Sequence, residues 1–336
     1  MQQFKNLILL ILSFLITAIL VFYFYFYVNG PSIQVKSAIL IDATSEEIVY
    51  KKNEDTPFPS ASLSKMMTEY IVLEHIHNGT IQWDDHVKIN KSAIQTEGDN
   101  IEITTKDNIT VRDLFYAMVL ASDNSAAVSL AEHISKSEQH FTNLMNEKAT
   151  QLGLSNKTHF ANASGIMNKQ EESKITALDA SKLAKHLTTD YPIILEIAQL
   201  TSYQFTFKDI HVFNTNKMLY SLDSNMKFKG VDGLQTSFSN TTGYSFAGTA
   251  KQGNKRFISI VMVANGENSA FIETKKLFTY GSEPTHLPSL QSVKDYIKSW
   301  ISLLQFKNLF LQTITIFLVI AISLFVHTRK KDSKDF

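Results

Sequence analysis

No residue between Asn6 and Val35 carries a charge, and within that interval Leu7 to Val28 is an almost unbroken apolar run. At about 1.5 Å per residue such a run is long enough to cross about 30 Å of hydrocarbon. Whatever the rest of the chain folds into is therefore expected to fold beside a membrane. A cleaved signal peptide has a shorter apolar core and an Ala-x-Ala-like exit. Here the core instead runs into Phe22-Tyr23-Phe24-Tyr25-Phe26-Tyr27, which suits an aromatic belt at the far interface. The expectation is an uncleaved anchor over residues 1–34.

A second span is predicted at 309–327, where Leu309 to Val326 is apolar but for Gln312, Thr313, Thr315 and Ser323. Arg329-Lys330-Lys331 follows it in a basic tail, 328–336, and Lys5 precedes the first span. Positive residues stay inside, so both termini are expected in the cytoplasm and the domain between the spans on the extracellular side of the cell membrane. A stretch at 283–308 joins that domain to the second span. It opens with a linker holding Pro284 and Pro288, and then lines Leu290, Val293, Ile297, Ile301 and Leu304 along one helical face. That face suits either a helix lying on the membrane surface or a stalk.

The intervening 35–282 is long enough to bury a full core. With 32 basic against 32 acidic residues in the whole chain, no global field draws it to nucleic acid. The lack of cysteine excludes disulfides, thiolate metal sites and a cysteine nucleophile. None of the ten histidines belongs to a His-Glu-x-x-His pair, so no metal is implied. Strand-like runs open the domain at Val35–Asp42 and Ile48–Lys52, a hairpin around Ala43-Thr44-Ser45-Glu46. Short strands are read at Val87–Ile89 and Ile101–Thr104. Helices are read at Leu63–His77, at Thr110–Ile134 with a break near Ala121-Ser122-Asp123-Asn124, and at Ser137–Leu152, Thr176–Thr188 and Ile193–Leu200. Strands return at Tyr203–Phe207, Gly233–Thr236, Tyr244–Lys251 and Phe257–Ala264, before a helix at Glu273–Tyr280 and a linker from Gly281. Strands at both ends of a helical middle point to one sheet flanked by helices, and the resemblance drawn below implies that this is an α+β fold with an antiparallel sheet.

The chemistry is concentrated at Pro59-Ser60-Ala61-Ser62-Leu63-Ser64-Lys65-Met66-Met67-Thr68. Ser62 opens a helix, where the macrodipole favours an alkoxide or oxyanion, and Lys65 lies one turn on along the same face. A serine hydroxyl needs a base to become a nucleophile, and a buried amine can lose its proton and serve as that base. Ser-x-x-Lys is common in surface helices, but together with Ser-Asp-Asn and Lys-Thr-Gly it marks serine β-lactamases and penicillin-binding proteins. The second element is present as Ser122-Asp123-Asn124.

On these residues the chain resembles the low-molecular-mass penicillin-binding proteins, serine-type D-alanyl-D-alanine carboxypeptidases of the β-lactamase/DD-peptidase superfamily. The likeness covers roughly Val35 to Gly281. It extends to Thr110-Val111-Arg112-Asp113-Leu114, Leu152-Gly153-Leu154, Thr158-His159-Phe160, Asn162-Ala163-Ser164-Gly165, Val231-Asp232-Gly233-Leu234 and Thr242-Gly243-Tyr244, in order and interval. The resemblance implies catalytic roles for Ser62, Lys65 and Ser122, and substrate binding by Asn124, Gln235, Thr236, Ser237 and Phe238. An oxyanion hole would be formed by the amides of Ser62 and Phe238. It implies peptidoglycan stem peptides and β-lactam antibiotics as ligands, and no cofactor. The third box departs from the family: Gln235-Thr236-Ser237 stands where Lys-Thr-Gly is usual. Gln235 keeps a donor and loses the charge, Thr236 is expected to donate its hydroxyl to a substrate carboxylate, and Ser237 is expected to crowd the cleft. The basic residue that the family places between Ala264 and Glu273 has no counterpart in Asn265–Ile272, which leaves Lys227, Lys229 or Arg256 as substitutes. Two other classes stay open: a weakly active or inactive scaffold that binds cell-wall peptide, and a β-lactamase. No clear deacylating glutamate motif supports the latter.

Overall fold

The structure is a computed structural model that describes residues 2–98, 100–167, 171–206 and 208–282. In chain order these form α1 (Gln2–Asn29), β1 (Val35–Asp42), β2 (Glu47–Lys52) and β3 (Pro57–Pro59). A 3-10 turn, Ala61–Ser64, leads into α2 (Lys65–His77), followed by β4 (His86–Val87), α3 (Lys91–Ile94), β5 (Ile109–Thr110), α4 (Val111–Ala121), α5 (Asn124–Ser135) and α6 (Glu138–Gln151). Then come β6 (Lys174–Thr176), α7 (Ala177–Asp190), α8 (Ile193–Ala198), β7 (Ser202–Gln204), β8 (His211–Phe213), β9 (Val231–Ser239), β10 (Gly243–Gln252), β11 (Lys255–Ala264) and α9 (Glu267–Ser282). The chain divides into two compact units, one running from Ile33 to His286. In the other, α1 contains a stretch, Phe4–Phe22, long and apolar enough to cross a membrane. The predicted linker beyond Ser282, the amphipathic helix and the second span lie outside the described residues.

The organising element is a five-stranded antiparallel sheet in the order β2-β1-β11-β10-β9. Side chains alternate across a strand, and β1 shows what each face does. Ile39 and Ile41 join one core with Leu63, Met66, Ile71, Leu114 and Leu183 from the helical middle. Ala38 and Leu40 join a second core with Phe271, Leu277 and Phe278 of α9. A strand covered on both faces reads as a continuous apolar run, which is why Ser37-Ala38-Ile39-Leu40-Ile41 has no polar face. The middle helices start where their caps dictate. Thr110 and Asp113 close a capping box on α4, Ser137 caps α6, and Thr176 caps α7.

Four sequence expectations are corrected. Ile101–Thr104 forms no strand, because the Asp123 carboxylate takes the Ile101 amide and the Ile103 amide closes back on the Ile101 carbonyl at 2.9 Å. β4 pairs with β5. The strand expected at Tyr203–Phe207 is confined to Ser202–Gln204 and pairs with β8. The last helix begins at Glu267, six residues earlier than read, and Gly281 lies inside it. A Cβ on Gly281 would stand 2.9 Å from Phe257 and 3.0 Å from Leu40, so this glycine lets the helix approach the sheet.

Candidate active site

Nine consecutive residues from Lys65 to Leu73 are buried, so α2 is a core helix and not an amphipathic one. The nucleophile turn enters it under constraint. Ala61, just before Ser62, has φ 42°, a left-handed conformation that a residue with a Cβ avoids at a cost of roughly 1–2 kcal/mol. Gly165, with φ +78°, presses against that residue: a Cβ there would fall 1.8 Å from the Ala61 carbonyl oxygen. Ser60 and Ser64 share a hydrogen bond at 2.7 Å beneath the turn, and Ser237 of β9 donates to the Ser60 carbonyl at 3.0 Å. The sheet edge is thereby tied to the nucleophile.

Lys65 is 0% exposed. Its Nζ lies 3.0 Å from Ser62 Oγ, 2.7 Å from Asn124 Oδ1 and 3.1 Å from the Ser164 carbonyl. The Asn124 orientation is set from behind, because its Nδ2 donates to the Glu97 carbonyl at 3.1 Å. The Ser122–Asn124 bend is built as a junction of two helices. Ser122 ends α4 in the left-handed region at φ 58°, and Asp123 caps α5 by accepting from the Ala126 amide at 2.7 Å. Ser122 Oγ accepts from Gln235 Nε2 at 2.8 Å. The three predicted boxes thus meet: Ser62, Ser122, Asn124, Thr236, Ser237 and Phe238 all line one cleft of about 680 Å³, with Lys65 and Gln235 behind it.

Several expectations for the third box are corrected here. Ser237 points into its bond with Ser60 and is buried, so it ties strand to turn instead of obstructing the opening. Thr236 lines the cleft and shares a 2.6 Å hydrogen bond with Thr215, in which either hydroxyl can donate. Arg256 holds Asp232 through both guanidinium nitrogens, at 2.9 and 2.8 Å, and donates to Thr249. Neither Arg256 nor Lys227 nor Lys229 lines the cleft. Phe238 stands half out of the cleft wall with its ring 4.6 Å from that of Tyr244.

Two features escaped sequence reading. One is the Ser164 carbonyl on Lys65, a backbone acceptor with no side-chain signature, presented by a turn in which Asn162 Oδ1 accepts from the Gly165 amide at 2.7 Å. The other is Glu69, one turn beyond Lys65 and 1% exposed, whose Oε1 has no hydrogen-bond partner. Burial pushes its carboxyl up to about 8, against the pull of the Lys65 charge. Asp123 is also raised by burial, with its hydrogen bonds and Lys65 opposing.

Comparison with known proteins places this geometry. Residues 25–266 match the model of a peptidase family described as D-alanyl-D-alanine carboxypeptidase. The chain is 31% identical over 258 residues to D-alanyl-D-alanine carboxypeptidase DacF of Bacillus subtilis, covering 75% of this chain and 64% of that one. It is 33% identical over 260 residues to DacC of Escherichia coli, covering 76% and 62%. It therefore spans less than two thirds of the length of these curated relatives. Among solved structures, ampicillin-bound penicillin-binding protein D2 of Listeria monocytogenes superposes with a TM-score of 0.68 at 33% identity, over 75% of this chain and 98% of that one.

Proposed function

The chain belongs to the D-alanyl-D-alanine carboxypeptidase family, peptidase family S11, and we propose that it is a membrane-tethered serine carboxypeptidase that trims the terminal D-alanine of peptidoglycan stem peptides through an acyl-enzyme on Ser62. The observation that carries this reading is the set of three oxygens around Lys65 Nζ. Two of them, Asn124 Oδ1 and the Ser164 carbonyl, can only accept. A neutral amine has two hydrogens and one lone pair; with the hydrogens on these two acceptors, the lone pair faces Ser62 Oγ. Only this neutral form of the amine can take the proton of Ser62.

In the proposed reaction Ser62 Oγ attacks the carbonyl of the penultimate D-alanine while its proton passes to Lys65. The developing oxyanion is taken by the amides of Ser62 and Phe238 at the cleft wall. Ser122 already accepts from Gln235, so its own hydrogen is directed elsewhere. In this role it delivers a proton to the departing amine and is reprotonated from Lys65. The C–N bond breaks, D-alanine leaves, and water, deprotonated by Lys65, cleaves the ester. Asn124, Gln235, Thr236 and Ser237 shape the ground on which the substrate lies. β-Lactam antibiotics acylate the same serine.

The apolar residues of α1 support a tether. The finer arrangement proposed is an anchor at 1–34, a catalytic domain at 35–282 on the extracellular side, a linker and amphipathic helix at 283–308, a second span at 309–327 and a cytoplasmic tail at 328–336, with both termini in the cytoplasm. A second reading, a weakly active or inactive penicillin-binding scaffold for cell-wall peptide, is favoured by one observation, the neutral Gln235 where the family has lysine. A fluorescent penicillin with mass mapping of the adduct separates them. Covalent label on Ser62 is the expected result, and a Ser62→Ala chain labelled as strongly as wild type would end the enzymatic reading.

A further inference from the structure

One buried titratable group stands beside the site with no part in the reaction so far. Glu69 follows Lys65 by four residues on α2, a spacing that puts both side chains on one helix face with their Cβ atoms about 5–6 Å apart. Both are buried, and Glu69 Oε1 meets no donor among the described residues. A buried polar group ordinarily has a partner that explains it. Here the charge that acts on Glu69 is that of Lys65. The acids on the other helices packed against α2 are held by groups of their own. Asp123 and Glu132 of α5 accept from Ser125 and from Asn90 and Ser92, and Asp113 of α4 accepts from Tyr203 and Thr206. Glu138 of α6 accepts from the Ala163 amide, Asp179 of α7 from Ser155 and Thr158, and Asp190 of α7 from Tyr70. Lys148 of α6 pairs with Glu74. Burial holds the Glu69 proton up to about 8, so at neutral pH an acid stands beside the Lys65 amine and in mild alkali a carboxylate does.

We infer that Glu69 is a positioning residue that acts through Lys65: amine and carboxyl lose their protons as one unit, and the carboxylate form of Glu69 strengthens the base that takes the proton of Ser62. The inference rests on the reading of Ser62 as nucleophile and Lys65 as its base. The step itself is unchanged. The Ser62 O–H bond breaks, its proton goes to the lone pair of Lys65, and the bond from Ser62 Oγ to the acyl carbon forms. Glu69 contributes no atom to it. As pH rises its own proton leaves to solvent, and the negative charge left one turn away favours the ammonium that Lys65 becomes. An opposite charge within about 4–6 Å moves a titration by about one to three pH units. Groups coupled that strongly titrate with values that belong to the pair, so the rate of acylation should rise in two proton losses, of which the upper requires Glu69.

The test measures the rate of Ser62 acylation by a fluorescent penicillin in the full chain in detergent, at pH 7 and pH 9, for the wild-type chain, Glu69→Gln and Glu69→Met. Near-ultraviolet circular dichroism reports that each chain is folded at each pH. A role in packing alone would scale the rate by one factor at both pH values. The expected result is a wild-type-to-variant rate ratio at least tenfold larger at pH 9 than at pH 7. A smaller change in that ratio overturns the inference while the acyl-enzyme reading stands. If neither variant folds, the wild-type profile from pH 5 to pH 10 decides: two proton losses, the upper near the Glu69 value of about 8, support the inference, and a single one overturns it. Absence of label on Ser62 at every pH removes the acyl-enzyme reading, and the inference falls with it.

Discussion

Replacing Glu69 by methionine should stabilise this protein, and by an amount that depends on pH. Glu69 is a fully buried carboxyl with an oxygen that no donor reaches, and burial raises it from 4.5 to about 8. The folded state therefore holds a proton that the unfolded chain releases above pH 4.5. Its contribution to stability is fully present below the unfolded value and is lost as pH rises through the folded one. At about 1.4 kcal/mol per pH unit, the loss reaches about 3 kcal/mol at pH 7 and about 5 kcal/mol once pH exceeds 8. Methionine has similar length and carries no proton, so the Glu69→Met chain escapes this loss. Any packing difference is common to all pH values and cancels when two are compared. For a domain of this size about 3 kcal/mol corresponds to roughly 6–12 °C in Tm. Thermal unfolding of both full chains in the same detergent, followed by near-ultraviolet circular dichroism at pH 5 and pH 8, reads the difference directly. The variant's advantage should be larger at pH 8. An advantage equal at the two pH values would refute the assignment of Glu69 as a buried, protonated acid.

Other outcomes follow from the contacts around the cleft. Gly165→Ala drives a Cβ to within 1.8 Å of the Ala61 carbonyl and should slow penicillin acylation at least a hundredfold in a stopped-label assay, through displacement of the nucleophile turn. Arg256→Ala leaves Asp232 without its two-point partner. It should lower stability by about 2–3 kcal/mol in urea unfolding while leaving the Ser62 labelling rate within twofold of wild type, because Arg256 does not line the cleft. Tyr203→Phe removes the donor to Asp113 at 2.9 Å and should lower stability by about 1 kcal/mol, again without a change in labelling.

The elements that sequence reading located are those whose burial pattern is one-dimensional. The sheet was legible because β1 and β11 carry near-continuous apolar runs, and the α4–α5 break because Ser122-Asp123-Asn124 is poor helix and good cap. Ile101–Thr104 misled because two isoleucines flanking a polar residue look like a strand, whereas a carboxylate from twenty-two residues away decides its backbone. In the site, the side chains that meet were visible as motifs. The Ser164 carbonyl was invisible because any residue supplies one, and Glu69 because a carboxylate in a helix is ordinarily taken to face solvent, whereas Lys65 to Leu73 of α2 is buried throughout. The tie made by Ser237 is hidden for a related reason: its partner, the Ser60 carbonyl, is distant in sequence.

The pairing of β1 with β11, from Val35 opposite Ala264 to Asp42 opposite Phe257, has a temporal consequence. The second strand of the chain's central pair is synthesised more than two hundred residues after the first. At about 5–20 residues per second the wait is roughly 10–40 s. During that interval the hairpin of β1 and β2 has an exposed apolar flank and no permanent neighbour, which makes it the segment a growing chain must keep from self-association.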